Sequence, residues 1–172
     1  MNGPDKNSAT INRLILGRHW LVAGVCIFAA CAIGGTCDSA NPTIDPIVPA
    51  DYRTTFTEVR NCRFSIEHDG VQIRVWANDI AMAAYLAEEN PLPVGSIIVK
   101  EEFAGGTCDD DSELNILSVM RKEAAGFDNE DKDWHFQEVN PTSRVVITNT
   151  KTDCIECHRN DCSARDYMCT VE

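Results

Sequence analysis

Cys154-Ile-Glu-Cys157-His158 carries the clearest chemistry in this chain, because C-x-x-C-H is the spacing of covalent haem attachment. Two cysteines three apart on one helical turn can reach the two vinyl groups on one edge of a porphyrin as thioethers. The adjacent His158 then offers an imidazole nitrogen to the iron. A disulfide between Cys154 and Cys157, or a zinc site completed by His158 and Cys162, is the bland alternative. Haem c, covalently bound through Cys154 and Cys157 with His158 as metal ligand, is the stronger reading. Only Met168 lies downstream as a methionine, ten residues past His158 and too close to cross the ring easily. Met120 lies in an apolar stretch and reads as core. The sixth iron position is therefore expected to be open or water-bound, which suits binding or chemistry at the metal better than electron relay.

The elements that must position this motif occupy the second part of the chain. Residues 62–68 and 71–75 alternate on either side of Asp69-Gly70, predicting a β-hairpin with Cys62, Phe64 and Ile66 on one side. Residues 78–89 read as a helix capped by Asn78 or Asp79 and stopped by Asn90-Pro91. Residues 95–103 read as a strand. Residues 114–123 are ambiguous between helix and strand. Residues 134–139 read as a strand after the polar loop 126–133, and the acidic run 108–113 as a solvated turn. The expected class is α+β, an antiparallel β-sheet with a few helices and a C-terminal helical haem-attachment segment.

Charge and cysteine usage bound the setting. The 172 residues carry a net charge of −12, with Lys+Arg 15 against Asp+Glu 27, and residues 51–172 hold all of the excess. So acidic a domain repels phosphate backbones, so nucleic acid is not an expected partner. Nine cysteines point to an oxidising compartment or to cofactor chemistry. Lys6, Arg13 and Arg18 precede an uncharged run from Trp20 to Cys37, the order of an export signal. Residues 1–36 are therefore expected to be a signal peptide, a retained membrane anchor or, through Phe28-Ala-Ala-Cys31, a lipoprotein segment. Residues 37–50, with Pro42, Pro46 and Pro49, read as a Pro-rich linker, and residues 51–172 as the functional domain. The expected location is exported and periplasmic, tethered to the membrane or not.

In order along the chain, Gln72-Ile-Arg-Val-Trp-Ala-Asn-Asp79, Pro93-Val-Gly-Ser-Ile-Ile-Val-Lys-Glu-Glu102, Asp133-Trp-His-Phe136 and Cys154-Ile-Glu-Cys157-His158 resemble the cytochrome P-460 family over roughly residues 52–160. The resemblance implies a β-rich domain with the haem motif near its end. It also implies a lysine, here Lys100, bonded covalently to a meso carbon of the haem, and oxidation of hydroxylamine or a similar small nitrogen compound. Cytochrome c′-beta relatives share the fold, lack that bond, and bind nitric oxide or carbon monoxide. The family places an arginine in the distal pocket; Arg74 fits the spacing, with Arg60 as rival. Trp134 and Phe136 read as sheet packing. Breaking N–H and O–H bonds needs a proton acceptor, and Glu67, Glu101 and Glu102 are candidates. The implied partners are the small nitrogen molecule and a redox partner cytochrome; a homodimer stays open. Three functions thus compete: the oxidoreductase, a five-coordinate gas-binding sensor or scavenger, and an electron carrier. Cys62, Cys108, Cys162 and Cys169 depart from the best-known members, as does a shorter Lys100-to-Cys154 segment. These four cysteines allow three pairings. Cys162 with Cys169 would close a short loop behind the haem helix, and Cys62 with Cys108 would then tie the sheet.

Overall fold

The computed structural model describes residues 43–149 and 152–169. The export or anchor segment expected over 1–36 lies outside them. Among the described residues, no helix is long and apolar enough to cross a membrane.

Six strands form one antiparallel sheet in chain order: β1 Thr57–Ser65, β2 Val71–Ala77, β3 Ile97–Phe103, β4 Leu114–Lys122, β5 Trp134–Val139 and β6 Val146–Thr148. Among the described residues three α-helices accompany them: α1 Tyr52–Thr55, α2 Asp79–Leu86 and α3 Thr152–Cys162. The fold is α+β. The stretch 114–123 is a strand because β3 and β5 flank it on both sides and take up its backbone groups. The β1–β2 hairpin turns with both Asp69 and Gly70 at positive φ, a conformation that favours glycine.

Asn78 builds the start of α2. Its Oδ1 accepts from Ala81 N and Ile97 N, both at 3.0 Å, and its Nδ2 donates to the Gly95 carbonyl at 2.9 Å. One side chain thus caps the helix and ties it to the beginning of β3.

The sheet separates two cores. On one face, Ile73, Val75, Ala77, Ile98, Met120, Trp134 and Phe136 pack with α2, with Ile155 of α3, and with Tyr167 and Met168. On the other, Val99, Leu117, Val119 and Val139 pack with Val48 and Tyr52. Residues 45–48, part of the expected linker, are fastened to that second face. Ile47 N donates to Gln137 Oε1 at 2.7 Å, Gln137 Nε2 donates to the Asp45 carbonyl, and Val48 is buried.

The hairpin alternates as its sequence suggests, but the apolar set of its first strand faces outward while that of the second packs in the core. Phe64 and Ile66 are 59% and 76% exposed, whereas Ser65 is buried and Arg63 half-buried. Register explains this: Arg63 pairs with Ile73 and Ser65 with Val71, which puts them on the helix-covered face. Nor is the acidic run 108–113 wholly solvated. Cys108 is buried, and both Asp111 carboxylate oxygens accept from Arg53 Nη1 at 2.8 Å.

Candidate haem site

α3 carries the C-x-x-C-H motif on one turn, with Cys154 and His158 half-buried four residues apart and Cys157 exposed. Two disulfides, Cys62–Cys108 and Cys162–Cys169, join the other four described cysteines, while Cys154 and Cys157 lie outside both. Among the described cysteines, the two of the motif are thus the ones that no disulfide takes up.

His158 Nδ1 donates to the Tyr167 carbonyl at 2.6 Å, and its ring meets Phe136 edge-on at 5.9 Å between centroids. With Nδ1 carrying the proton, Nε2 keeps its lone pair for a metal. Burial lowers the His158 pKa to about 4, against the opposing pull of the Tyr167 carbonyl and with help from the charges of Lys100 and His68. The ring is therefore neutral at pH 7, the form that ligates.

The segment after α3 holds this geometry in place through Asp166. Its buried carboxylate accepts from Lys122 Nζ at 2.8 and 2.9 Å and from Leu92 N at 2.9 Å, and its carbonyl accepts from Trp134 Nε1 at 2.9 Å. Trp134 thus packs the core and pins the segment that offers Tyr167 to His158.

The opposing wall is the sheet. Register aligns one residue from each strand in a single row on the helix-covered face: Arg60, Val75, Lys100, Ser118, Glu138 and Thr148. Lys100 sits in the middle. Burial lowers its pKa to about 8, against the raising charges of Glu102, Cys154 and Glu67. Its Nζ hydrogen-bonds His68 Nε2, His68 Nδ1 meets Glu102 Oε1 at 3.1 Å, and Ser118 Oγ donates to the same oxygen at 2.6 Å. Burial pushes the Glu102 carboxyl up, but the hydrogen bonds from His68 and Ser118 and the charges of His68 and Lys100 outweigh it and hold the group below its ordinary range.

Lys100, Cys154 and His158 are therefore brought together, close enough for the charge of Lys100 to act on His158. Arg74 is not with them. It pairs with Glu101 on the opposite face, where its Nη2 donates to the Cys108 carbonyl at 2.8 Å and its guanidinium lies over Phe103 at 5.6 Å. Arg60 occupies the helix-covered face instead, over the Tyr85 ring of α2 at 5.9 Å. β1 is irregular on both sides of Arg60, between Glu58 and Arg60 and again before Arg63, so counting along the strand misplaces it.

Of the three acidic candidates, Glu102 faces the site. Glu101 is buried behind the sheet, hydrogen-bonded by Tyr52 and Arg53, and Glu67 is exposed in the hairpin turn. His68, Ser118 and Glu138 escape sequence reading. The signal for Ser118 and Glu138 is the register of the sheet, and for His68 the folding back of the β1–β2 turn, neither of which a single sequence prints. Met120 and Met168 are buried in the core cluster.

The donor set fits a haem: two cysteines kept out of disulfides on one helical turn, a neutral histidine with an oriented Nδ1, and a desolvated amine on the facing wall. Comparison with known proteins agrees. No curated protein matches the chain at a significant level. The family model for Cytochrome P460, however, matches residues 49–170, most of the chain and all of the elements above. The chain belongs to the cytochrome P460 family, and a haem is the cofactor that this membership implies.

Proposed function

We propose that this chain is an exported, periplasmic c-type haem oxidoreductase that oxidises hydroxylamine or a similar small nitrogen compound and passes the electrons to a redox partner cytochrome. In this reading Cys154 and Cys157 hold the haem as thioethers, His158 Nε2 ligates the iron, and Lys100 is bonded to a meso carbon. When bound, the haem supplies a redox-active iron for a small nitrogen ligand. The observation that carries the proposal is the placement of Lys100 opposite the motif helix, with its amine desolvated. Bonding to carbon requires the lone pair of the neutral amine, and the lowered pKa gives Lys100 a far larger neutral fraction than an ordinary surface lysine has at the same pH.

The rest of the wall supports the same chemistry. Breaking N–H and O–H bonds releases protons, and Glu138 lies one strand beyond Ser118 in the row that contains Lys100. Glu102 has low proton affinity and two hydrogen-bond donors, so it suits orientation better than proton uptake. Arg60 brings a fixed positive charge to the end of that row, where it can favour an anionic nitrogen group.

The visible spectrum of the reduced, haem-loaded protein tests the proposal, together with hydroxylamine oxidation. A strongly red-shifted Soret band with turnover is expected. An ordinary high-spin haem c band without turnover would make the chain a five-coordinate binder of nitric oxide or carbon monoxide, and a sharp low-spin α-band would make it an electron carrier.

A further inference from the structure

We propose that His68 is the general base for the Lys100 amine when its bond to the macrocycle forms, and that Glu102 is the positioning residue for His68. This rests on the reading of Lys100 as the haem-bonded lysine.

The arrangement is that of an activated nucleophile. Lys100 Nζ hydrogen-bonds His68 Nε2, and His68 Nδ1 faces Glu102 Oε1 at 3.1 Å. A carboxylate at Nδ1 selects the tautomer with the proton on that nitrogen, which leaves Nε2 as an acceptor aimed at the amine. Nucleophile, base and orienting carboxylate stand in hydrogen-bond series, the logic of catalytic triads transferred to lysine. Ser118 Oγ donates to the same Glu102 oxygen at 2.6 Å, which fixes the carboxylate from the far side.

His68 is also placed to dispose of a proton. It sits in the β1–β2 turn over residues 66–70, with its side chain 27% exposed, while Lys100 lies further along the sheet. The imidazole thus links a desolvated amine to water. A lysine held only by carboxylates would be stabilised as ammonium, which has no lone pair.

The Lys100 N–C bond forms; one N–H bond and the meso C–H bond break. The amine proton goes to His68 Nε2 and then to solvent, and the carbon-bound proton goes to solvent. The two electrons go to a two-electron oxidant of the peroxide class, which leaves as water.

The test uses the full chain with haem attached at Cys154 and Cys157, kept reduced and then exposed to hydrogen peroxide. The readout is the fraction of Lys100 peptide that carries haem mass, followed in time. His68→Leu and His68→Gln should both slow this bond by about a hundredfold, within the usual contribution of a positioned base. Glu102→Gln should slow it less, and added imidazole should restore the rate in His68→Ala. Wild-type rates in His68→Leu would overturn the proposal. So would full activity of His68→Gln, which keeps a hydrogen bond without the base, or failure of imidazole to act on His68→Ala. An unmodified Lys100 in haem-loaded wild type would instead overturn the lysine-bonded reading, and this proposal with it.

Discussion

The Nδ1 of His158 and the carbonyl of Tyr167 are 2.6 Å apart, although the two residues are nine positions apart and the end of a helix lies between them. Backbone curvature makes this contact. Asp166 and Tyr167 both adopt positive φ, which turns the chain back beneath α3, and the Cys162–Cys169 disulfide closes the same loop. A histidine whose second nitrogen is engaged cannot rotate or change tautomer without breaking a hydrogen bond. Such outer contacts commonly orient metal-bound histidines.

Replacing Cys154 and Cys157 together by alanine should leave a protein from which acid-acetone removes all haem. Wild type should retain haem through the same extraction. Haem released from wild type, after maturation in a host that attaches it, would contradict thioether attachment.

Lys100→Leu should keep the thioether-bound haem, because Cys154 and Cys157 are untouched. It should lose the red-shifted band and most hydroxylamine oxidation. Mass spectra of digested protein should place haem on the Lys100 peptide in wild type only. An unmodified Lys100 peptide in wild type would favour the gas-binding alternative.

The depressed pKa of Lys100 sets a pH dependence for formation of that bond. Below about 8 the amine is mainly protonated and carries no lone pair, and by about one pH unit above it the neutral form is nearly complete. The rate should therefore rise about tenfold per pH unit below 8 and level off near pH 9. A lysine with an ordinary pKa would keep gaining up to about 10.5. A plateau that late would show that Lys100 is not desolvated.

Asp166→Ala should destabilise the protein by about 3–5 kcal/mol, the cost of leaving a buried partner charge uncompensated. Lys122 would lose its carboxylate and Leu92 N its acceptor, both on the buried side of the molecule. Denaturant unfolding measures the loss. A change below about 1 kcal/mol, the size typical of surface pairs, would show that water replaces the carboxylate.

Thiol titration of denatured, unreduced protein should find none of Cys62, Cys108, Cys162 or Cys169 reactive. Replacing Cys62 and Cys108 by serine should cost about 2–4 kcal/mol, since their bond spans a sequence separation of 46 residues. Stoichiometric labelling of any of the four would contradict the pairing.

Local signals in the sequence carried the hairpin, α2, β3 and the motif helix, because turn chemistry, a capping asparagine and β-branched runs act over a few residues. The strand Leu114–Lys122 stayed ambiguous for the opposite reason. Apolar residues occupy both of its faces, so neither period stands out, and only its two neighbouring strands decide. The site was legible where the chemistry is contiguous, at Cys154, Cys157 and His158. It was not legible where chemistry depends on which side of a strand a residue takes. Arg74 on β2 and Arg60 on β1 take opposite faces of the sheet, and the irregular β1 hides the difference. His68 joins Lys100 only through the folding back of a turn, a contact 32 residues apart.

The strand order β1-β2-β3-β4-β5-β6 means that each strand finds its partner in its immediate predecessor. Every pairing is between sequence neighbours, the longest connection being residues 78–96 with α2, which keeps the chain-entropy cost low and favours rapid assembly. Neither disulfide crosses from the sheet to the motif helix: one staples residues 62 and 108, the other residues 162 and 169. The sheet can therefore complete itself, bonds and all, before α3 arrives. Cys154 and Cys157 stand on a segment joined to that platform, among the described residues, by packing, by the Arg159–Asp131 pair, by Lys132 on the Ser163 carbonyl and by Asp166 rather than by a disulfide. Such a segment can dock after its thiols have met a bulky planar guest.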